Sequence, residues 1–236
     1  MILIVDCDNT LYPASTNLMA LNDAGIASYL TGVMGVSVEQ AEGMRIGYLR
    51  KYGTTLAGLV AEQKVDPDEF LDYVHSYEVS PILSADPVLR EFLCGLKMPR
   101  VVLTSANRAH VEKVARALGV LDCIDAIFDL KAVDYLGKPH PHAYETVLAA
   151  YPGERAVFVD DRFRNFPPAR ALNMVNVWVD EGYRPPPGDI APALNVFYDE
   201  ARQLAGSASE VVDFTIHTID ELPAIWDGVV ARVNGR

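Results

Sequence analysis

The chain has 236 residues, of which 50% are hydrophobic and 22% are charged, and its formal net charge at pH 7 is −12. This composition excludes a disordered protein, and the length suffices for one large domain or for a domain with a smaller module. The negative charge argues against binding to nucleic acid polymers or to anionic membranes. A small phosphorylated substrate is compatible with it, because local cations can overcome the field of the whole protein.

Three cysteines, Cys7, Cys94 and Cys123, are widely spaced in the chain. They show neither a disulfide framework nor the spacing of metal ligands, so we predict a protein of the reducing cytoplasm. No basic leader precedes an apolar segment, and no run reaches 18 apolar residues. We therefore expect a soluble protein without membrane contacts, either a monomer or a homodimer.

The first apolar run, Ile2–Val5, predicts a buried strand that ends in two carboxylates, Asp6 and Asp8. Residues two apart on an extended chain point to the same side, so both carboxylates can face one pocket. The carboxyl ends of strands are where open α/β sheets place their active sites. The repulsion between the two charges requires a metal ion, a lysine or a shared proton. The alternative is a strand followed by an ordinary Asp/Asn-rich turn.

Residues 14–80 show a helical pattern and no strand. Helices are predicted over 17–33, over 38–52 after an N-cap at Ser37, from Thr54 or Thr55 onward, and from Pro67 to about residue 77. This segment is inserted directly after the end of the first strand. We therefore expect it to form a helical cap over that end.

Strands and helices alternate from residue 86 onward. Strands are predicted at 101–103, 126–128, 156–159, 174–179 and 213–217, with helices at 88–96, 109–118, 141–148, 168–172 and 220–233. Such alternation favours a parallel sheet with right-handed crossovers. Within residues 180–210, the stretch 182–188 is predicted to be an irregular loop and the stretch 195–204 a helix. The core domain thus comprises residues 1–13 and 81–236, and the cap domain residues 14–80.

Three of the predicted strands end in polar side chains, and a lysine opens one of the predicted helices. These residues are, in chain order, Asp6 and Asp8, Thr104 and Ser105, Lys138, and Asp160 and Asp161. Each of these features alone has an ordinary explanation, since Asp-x-Asp is common in turns and a lone lysine is usually a solvated surface charge. All four, in this order and at the strand ends of one sheet, favour a functional site.

The order Asp6-Cys7-Asp8-Asn9-Thr10, Thr104, Lys138-Pro139 and Asp160-Asp161 resembles the four motifs of the haloacid dehalogenase (HAD) superfamily of hydrolases. The resemblance covers nearly the whole chain and is to members with a helical cap between the first two motifs. Residues 8–13, 52–60, 137–140 and 159–165 are similar to the pyrimidine 5′-nucleotidase-like subgroup. The resemblance implies an α/β fold, with a Rossmann-like parallel sheet core and an inserted all-helical cap. It also implies a Mg²⁺-dependent phosphatase that acts through an aspartyl-phosphate.

The chemistry of the first motif fits phosphoryl transfer, which needs a nucleophile, neutralisation of charge and a proton for the leaving oxygen. Asp6 suits the nucleophile, because a carboxylate can form an aspartyl-phosphate. Asp8 suits the acid that protonates the leaving group and then the base that activates water. Mg²⁺ suits the neutralisation of charge, because it prefers oxygen ligands and bridges carboxylates to phosphate.

The resemblance assigns further roles to the remaining motif residues. The metal ligands implied are the Asp6 carboxylate, the Asp8 backbone carbonyl and Asp161, with Asp160 bound directly or through water. The Thr104 hydroxyl is expected to hold a phosphoryl oxygen, and Lys138 to balance the charge around Asp6. The predicted substrate contacts are Ser105, Asn9 and Thr10.

A pyrimidine nucleoside 5′-monophosphate is the first candidate substrate, and a sugar phosphate or phosphoglycolate-like compound is an alternative, as is a phosphomutase reaction. Asp8 counts against a dehalogenase, since those relatives lack the second aspartate because a halide leaving group needs no proton. Ala57 stands where the subgroup often has Arg, and Ser105 where Asn commonly follows the threonine. These departures concern nucleotide specificity rather than phosphatase chemistry. The alternative to an enzyme is a non-catalytic module that binds phosphate or a partner.

Two histidines and one cysteine are predicted to be structural. His75 and His110 are expected on helix surfaces or in contacts between cap and core. Cys7 lies between the two aspartates of the first motif and is expected to point away from them, into packing.

Overall fold

A computed structural model describes residues 1–182 and 208–235. These residues form two compact units, one made of residues 1–16, 78–182 and 208–235 and the other of residues 17–77. The predicted boundaries lay at residues 14 and 80. A short 3₁₀ turn, Ala14–Thr16, belongs to the first unit, where the Ser15 N–H donates to Glu181 Oε2 at 3.0 Å. The helix predicted at 195–204 lies outside the described residues.

The first unit contains a parallel sheet, which confirms the predicted α/β class. Its strands are β1 (Ile2–Val5), β2 (Arg100–Leu103), β3 (Ala126–Phe128), β4 (Ala156–Asp160), β5 (Val175–Val179) and β6 (Phe214–Ile216), in the order β3-β2-β1-β4-β5-β6. Every neighbouring pair is parallel. Strand β1 lies between β2 and β4, with Ile4 opposite both Val101 and Phe158. All four residues of β1 are buried, as expected for an apolar strand covered on both faces.

The α-helices are numbered in chain order, so the first four belong to the second unit and the other six to the first unit. The second unit contains α1 (Met19–Ser28), α2 (Val38–Tyr52), α3 (Thr55–Gln63) and α4 (Pro67–Val74). The first unit contains α5 (Pro87–Gly95), α6 (Arg108–Ala117), α7 (Pro141–Ala150), α8 (Phe166–Ala171), α9 (Ala208–Val211) and α10 (Leu222–Asn234). No helix in the described part of the chain is long and apolar enough to cross a bilayer.

The helical unit of residues 17–77 follows its local sequence signals closely. Ser37 Oγ accepts the Gln40 N–H at 3.1 Å and Gln40 Oε1 accepts the Ser37 N–H at 2.9 Å, forming a capping box at the start of α2. Gly53 ends this helix in the left-handed region at φ +81°. Helix α1 continues into a π-helical segment, Tyr29–Val33, within the single helix predicted there.

A disulfide joins Cys94 at the end of α5 to Cys123 in the turn after α6, with 4.9 Å between the two Cα atoms. The prediction that no cysteines are paired was therefore wrong. The two residues are 29 positions apart, and only the packing of α5 against this turn brings them together. The same elements are joined by Arg90, which contacts both carboxylate oxygens of Asp122 at 2.5 and 2.7 Å.

Reduction of this disulfide is expected to lower the free energy of unfolding by about 3–4 kcal/mol, because a cross-link of this loop length restricts the unfolded chain. Urea unfolding with and without a phosphine reductant measures the effect. The double variant Cys94→Ser/Cys123→Ser is the control and should not respond to the reductant. Identical unfolding midpoints for the wild type in both conditions would contradict the pairing.

Candidate functional site

The predicted site residues follow the carboxyl ends of adjacent strands in the first unit. Asp6 follows β1, Thr104 follows β2, and Asp160 is the last residue of β4. Because β1 lies between β2 and β4 and all three are parallel, these ends meet at one edge of the sheet. The site is thus assembled from three segments that are distant in the chain.

Lys138, three residues before α7, joins the first and last of these segments. Its Nζ atom lies 2.8 Å from Asp6 Oδ1 and 2.7 Å from Asp160 Oδ2. The lysine is only 4% exposed. Burial opposes its charge, but Asp160 and Asp6 outweigh this effect and raise the pKa of Lys138 above its usual value. The lysine is therefore a buried cation shared by two carboxylates.

Asp160 is fully buried and is held by several donors. Besides Lys138, it accepts the backbone N–H of Arg162 at 2.7 Å and the Asn165 amide at 2.9 Å to each carboxylate oxygen. Asn165 is itself fixed, since the Tyr144 hydroxyl donates to its backbone carbonyl at 2.8 Å. Asn165 was part of the fourth motif but was not predicted as a site residue. It orients the carboxylate of Asp160.

Asp161 presents a different environment. Its Oδ1 atom is buried and has no hydrogen-bond partner among residues 1–182 and 208–235. Carboxylate oxygens of Asp6, Asp160 and Asp161 lie within 4.8 Å of one another. Burial and then the charge of Asp160 raise the pKa of Asp161 well above its usual value. Burial also raises the pKa of Asp6, to about 7, although Lys138 opposes the shift.

This carboxylate cluster fits a divalent cation. Lys138 contacts two of the three carboxylates, and the charge of Arg162 acts on the third, so the ionised cluster still carries an excess of negative charge that is costly in a buried place. The donor atoms are all oxygens, which are the ligands that Mg²⁺ prefers. The buried oxygen of Asp161 without a partner is the clearest vacant acceptor in the cluster.

Asp8 points to a second set of contacts. The Tyr12 hydroxyl donates to Asp8 Oδ1 at 2.6 Å, and His110 Nε2 lies 2.7 Å from the same oxygen. Of the two positions predicted for His110, the helix surface was wrong, because the residue is only 1% exposed in the first turn of α6. His75, which follows α4, is likewise buried rather than on a helix surface. The useful signal for His110 was its place in the helix that directly follows the second motif.

The remaining predicted residues lie in the two loops that follow β1 and β2. Thr104 is buried and its Oγ1 accepts the Ala106 N–H at 3.1 Å. Asn9 Oδ1 and Thr10 Oγ1 are buried without hydrogen-bond partners in the described part of the chain. Ser105 is exposed. The assignment of these four residues to phosphate or substrate binding stays a prediction, as does the Asp8 carbonyl as a metal ligand.

Gly137 lets the segment that carries Lys138 approach the loop after β3. A Cβ atom at this position would lie 2.5 Å from Leu130 Cδ1 and 3.4 Å from Ser105 Oγ. Only glycine fits here without a shift of its neighbours. A side chain at position 137 would therefore require the end of the Leu130 side chain to shift.

One curated relative is similar over most of this chain. Phosphate metabolism protein 8 of Saccharomyces cerevisiae is 26% identical over 197 residues, which cover 75% of this chain. The match spans only 60% of the length of that relative.

The solved structures with the same fold include a phosphatase and a dehalogenase. A HAD phosphatase from Thermococcus onnurineus superposes with a TM-score of 0.59 at 18% identity, covering 96% of this chain and 98% of the other. An L-2-haloacid dehalogenase from Xanthobacter autotrophicus with chloropropionic acid covalently bound gives a TM-score of 0.55 at 17% identity, with the same coverage. The putative HAD-hydrolase YfnB from Bacillus subtilis, bound to magnesium, gives 0.56 at 13% identity, covering 95% and 97%.

The four motif segments, the parallel sheet and the carboxylate cluster agree with the family comparison. The sequence model of the haloacid dehalogenase-like hydrolase family matches this chain over residues 1–173. This span includes β1 to β4 and every residue of the carboxylate cluster. The chain belongs to the haloacid dehalogenase-like hydrolase family.

Proposed function

We propose that this hydrolase is a Mg²⁺-dependent phosphatase, which transfers the phosphoryl group of a small phosphorylated metabolite first to Asp6 and then to water. The observation that carries the proposal is the Asp6–Lys138–Asp160 contact beside the unpartnered oxygen of Asp161. A carboxylate next to an all-oxygen cation site supplies the nucleophile and the neutralisation of charge that phosphoryl transfer needs.

The first step forms a bond between an Asp6 carboxylate oxygen and phosphorus and breaks the bond from phosphorus to the leaving oxygen. Asp8 gives a proton to that oxygen as it leaves. In the second step Asp8 takes a proton from water, whose oxygen attacks phosphorus and releases Asp6 and inorganic phosphate. Lys138 stabilises the charge at Asp6 in both steps through its contact of 2.8 Å.

The residues that would hold Mg²⁺ are Asp6 and Asp161, with the Asp8 carbonyl. Asp160 already accepts hydrogen bonds from three groups, so we assign it to the support of the site or to a contact through water. When bound, Mg²⁺ neutralises negative charge on the transferred phosphoryl group.

The substrate proposed first is a pyrimidine nucleoside 5′-monophosphate, on the similarity of residues 8–13, 52–60, 137–140 and 159–165 to that subgroup. A relative named for phosphate metabolism supports phosphate chemistry in general. Asp8 favours a phosphatase over a dehalogenase, since an alkoxide leaving group needs a proton and a halide does not. The cytoplasm stays the proposed location, although the Cys94–Cys123 disulfide counts against a strongly reducing compartment.

Chelation is expected to abolish the activity. We expect EDTA to lower the release of inorganic phosphate by about 100-fold or more, because a metal at this site contributes several kcal/mol to the transition state. Added Mg²⁺ should restore it. The assay uses 4-nitrophenyl phosphate and a panel of nucleotides and sugar phosphates, with EDTA already saturated with Mg²⁺ as control. Undiminished turnover after chelation would contradict the mechanism.

A non-catalytic module is the competing function, and a phosphate mimic separates the two. Beryllium fluoride with Mg²⁺ should raise the melting temperature of a phosphatase, because it binds the folded protein alone. A non-catalytic module should show no such shift and no turnover of any member of the panel.

A further inference from the structure

The carboxyl group of Asp8 is held by two side chains, Tyr12 and His110, that were not predicted as site residues. The Tyr12 hydroxyl and His110 Nε2 both contact Oδ1, at 2.6 and 2.7 Å. Two contacts on one oxygen fix the rotation of the carboxyl group about its bond to Cβ. The Tyr12 hydroxyl donates its hydrogen bond to this oxygen, and His110 Nε2 donates or accepts according to its tautomer.

Both side chains are themselves immobilised. Tyr12 and His110 are each 1% exposed. The backbone N–H of His110 donates to Asn107 Oδ1 at 3.0 Å in the cap of α6, so the start of the helix that follows β2 is fixed. Tyr12 approaches from the loop that follows β1. Asp8 is thus held between the segments that follow two neighbouring strands.

The residue in the middle is less enclosed than its two partners. The Asp8 side chain is 17% exposed, whereas that of His110 is 1% exposed. Rigid, buried side chains that hold a partly accessible carboxyl group are the arrangement that positions an acid or base for proton transfer. An ordinary buried salt bridge would not need one member to remain accessible.

We propose that His110 and Tyr12 are positioning residues, which hold the Asp8 carboxyl group where it exchanges a proton with the leaving oxygen and with water. The proposal rests on the proposed phosphatase function and deepens it. Loss of either contact lets the carboxyl group rotate, so that fewer encounters place it within hydrogen-bond reach of the leaving oxygen.

A leaving-group series tests this role. Phenyl phosphate releases a basic phenoxide that needs the proton of Asp8, whereas 2,4-dinitrophenyl phosphate releases a stable anion that does not. The parameter is kcat/KM, because it reports the transfer of the phosphoryl group from each substrate to Asp6. A general effect on folding or on binding of the phosphoryl group would lower both values equally.

His110→Ala is expected to lower kcat/KM about 30-fold for phenyl phosphate and less than about threefold for the dinitro compound, as part of the acid–base contribution. Tyr12→Phe removes one oxygen and keeps the ring, so this variant should fold even if His110→Ala does not. We expect it to lower kcat/KM about tenfold for phenyl phosphate. His110→Gln should recover part of the loss, because its amide can replace the Nε2 contact.

A matched control is available in the same unit. His142 Nε2 lies 3.0 Å from Asp134 Oδ2, in an exposed pair of the same chemistry. His142→Ala should leave both values of kcat/KM unchanged.

The two proposals fail in different ways. If the wild type hydrolyses no aryl phosphate and no member of the metabolite panel, the phosphatase function is wrong and the positioning role falls with it. If the wild type is active, but Tyr12→Phe and His110→Ala change kcat/KM by the same factor for both leaving groups, the positioning role alone is overturned.

Discussion

Asp6→Asn is expected to lower turnover by about 10⁴-fold or more, because the amide is not a nucleophile that can form an acyl phosphate. Initial rates of phosphate release on the best wild-type substrate measure the loss. Acid quenching with a radiolabelled substrate adds a direct readout. The wild type should retain label on the protein and the variant should not.

The variant must be compared with a substitution of the same kind away from the cluster. Asp134→Asn changes an exposed carboxylate that contacts His142, and we expect it to turn over at the wild-type rate. Near-ultraviolet circular dichroism and the melting temperature establish that Asp6→Asn remains folded. Turnover within tenfold of the wild type in a folded variant would remove Asp6 from the role of nucleophile.

Lys138→Met is expected to cost about 3–5 kcal/mol of unfolding free energy, because it leaves Asp6 and Asp160 buried without their shared cation. Activity should be lost with it. Urea unfolding in EDTA measures the stability of the cluster without a metal. In excess Mg²⁺ the deficit should shrink, since a bound cation replaces part of the lost charge and stabilises the folded state.

A second substitution separates the loss of charge from the loss of packing. In Lys138→Met/Asp160→Asn, one of the two carboxylates that lost the lysine is replaced by a neutral amide. The double variant should therefore be more stable than Lys138→Met alone. A single variant within about 1 kcal/mol of the wild type in EDTA would show that the lysine does not stabilise the buried carboxylates.

Features that depend on neighbouring residues in the chain were predictable from the sequence. The apolar run before Asp6 predicted β1, and the Ser37–Gln40 capping box and Gly53 set the ends of α2. The polar segments at three strand ends, together with the lysine at the start of a helix, predicted that one edge of the sheet carries the chemistry. Parallel pairing of β1 with β2 and β4 then brings Asp6 and Asp160 to that edge.

Features that depend on side-chain partners distant in the chain were not predictable. His110 lies 102 residues from Asp8, and nothing in the local pattern of α6 indicates which face of its first turn packs against the loop after β1. The Cys94–Cys123 pair likewise depends on the packing of α5. Asn165 has a visible place in its motif, but its hydrogen bonds to both oxygens of Asp160 appear only in three dimensions.

The central position of β1 has a consequence for the order in which this protein can fold. Both strands that flank β1, at 100–103 and 156–160, are separated from it by long stretches of chain. Closing these loops costs entropy before any hydrogen bond is gained, so folding of the first unit should be slow compared with that of the helical segment 17–77. During synthesis β1 keeps at least one unpaired edge until β4 has left the ribosome, a state that favours aggregation. The strand that leads into Asp6 is therefore also the one that most needs protection in the nascent chain.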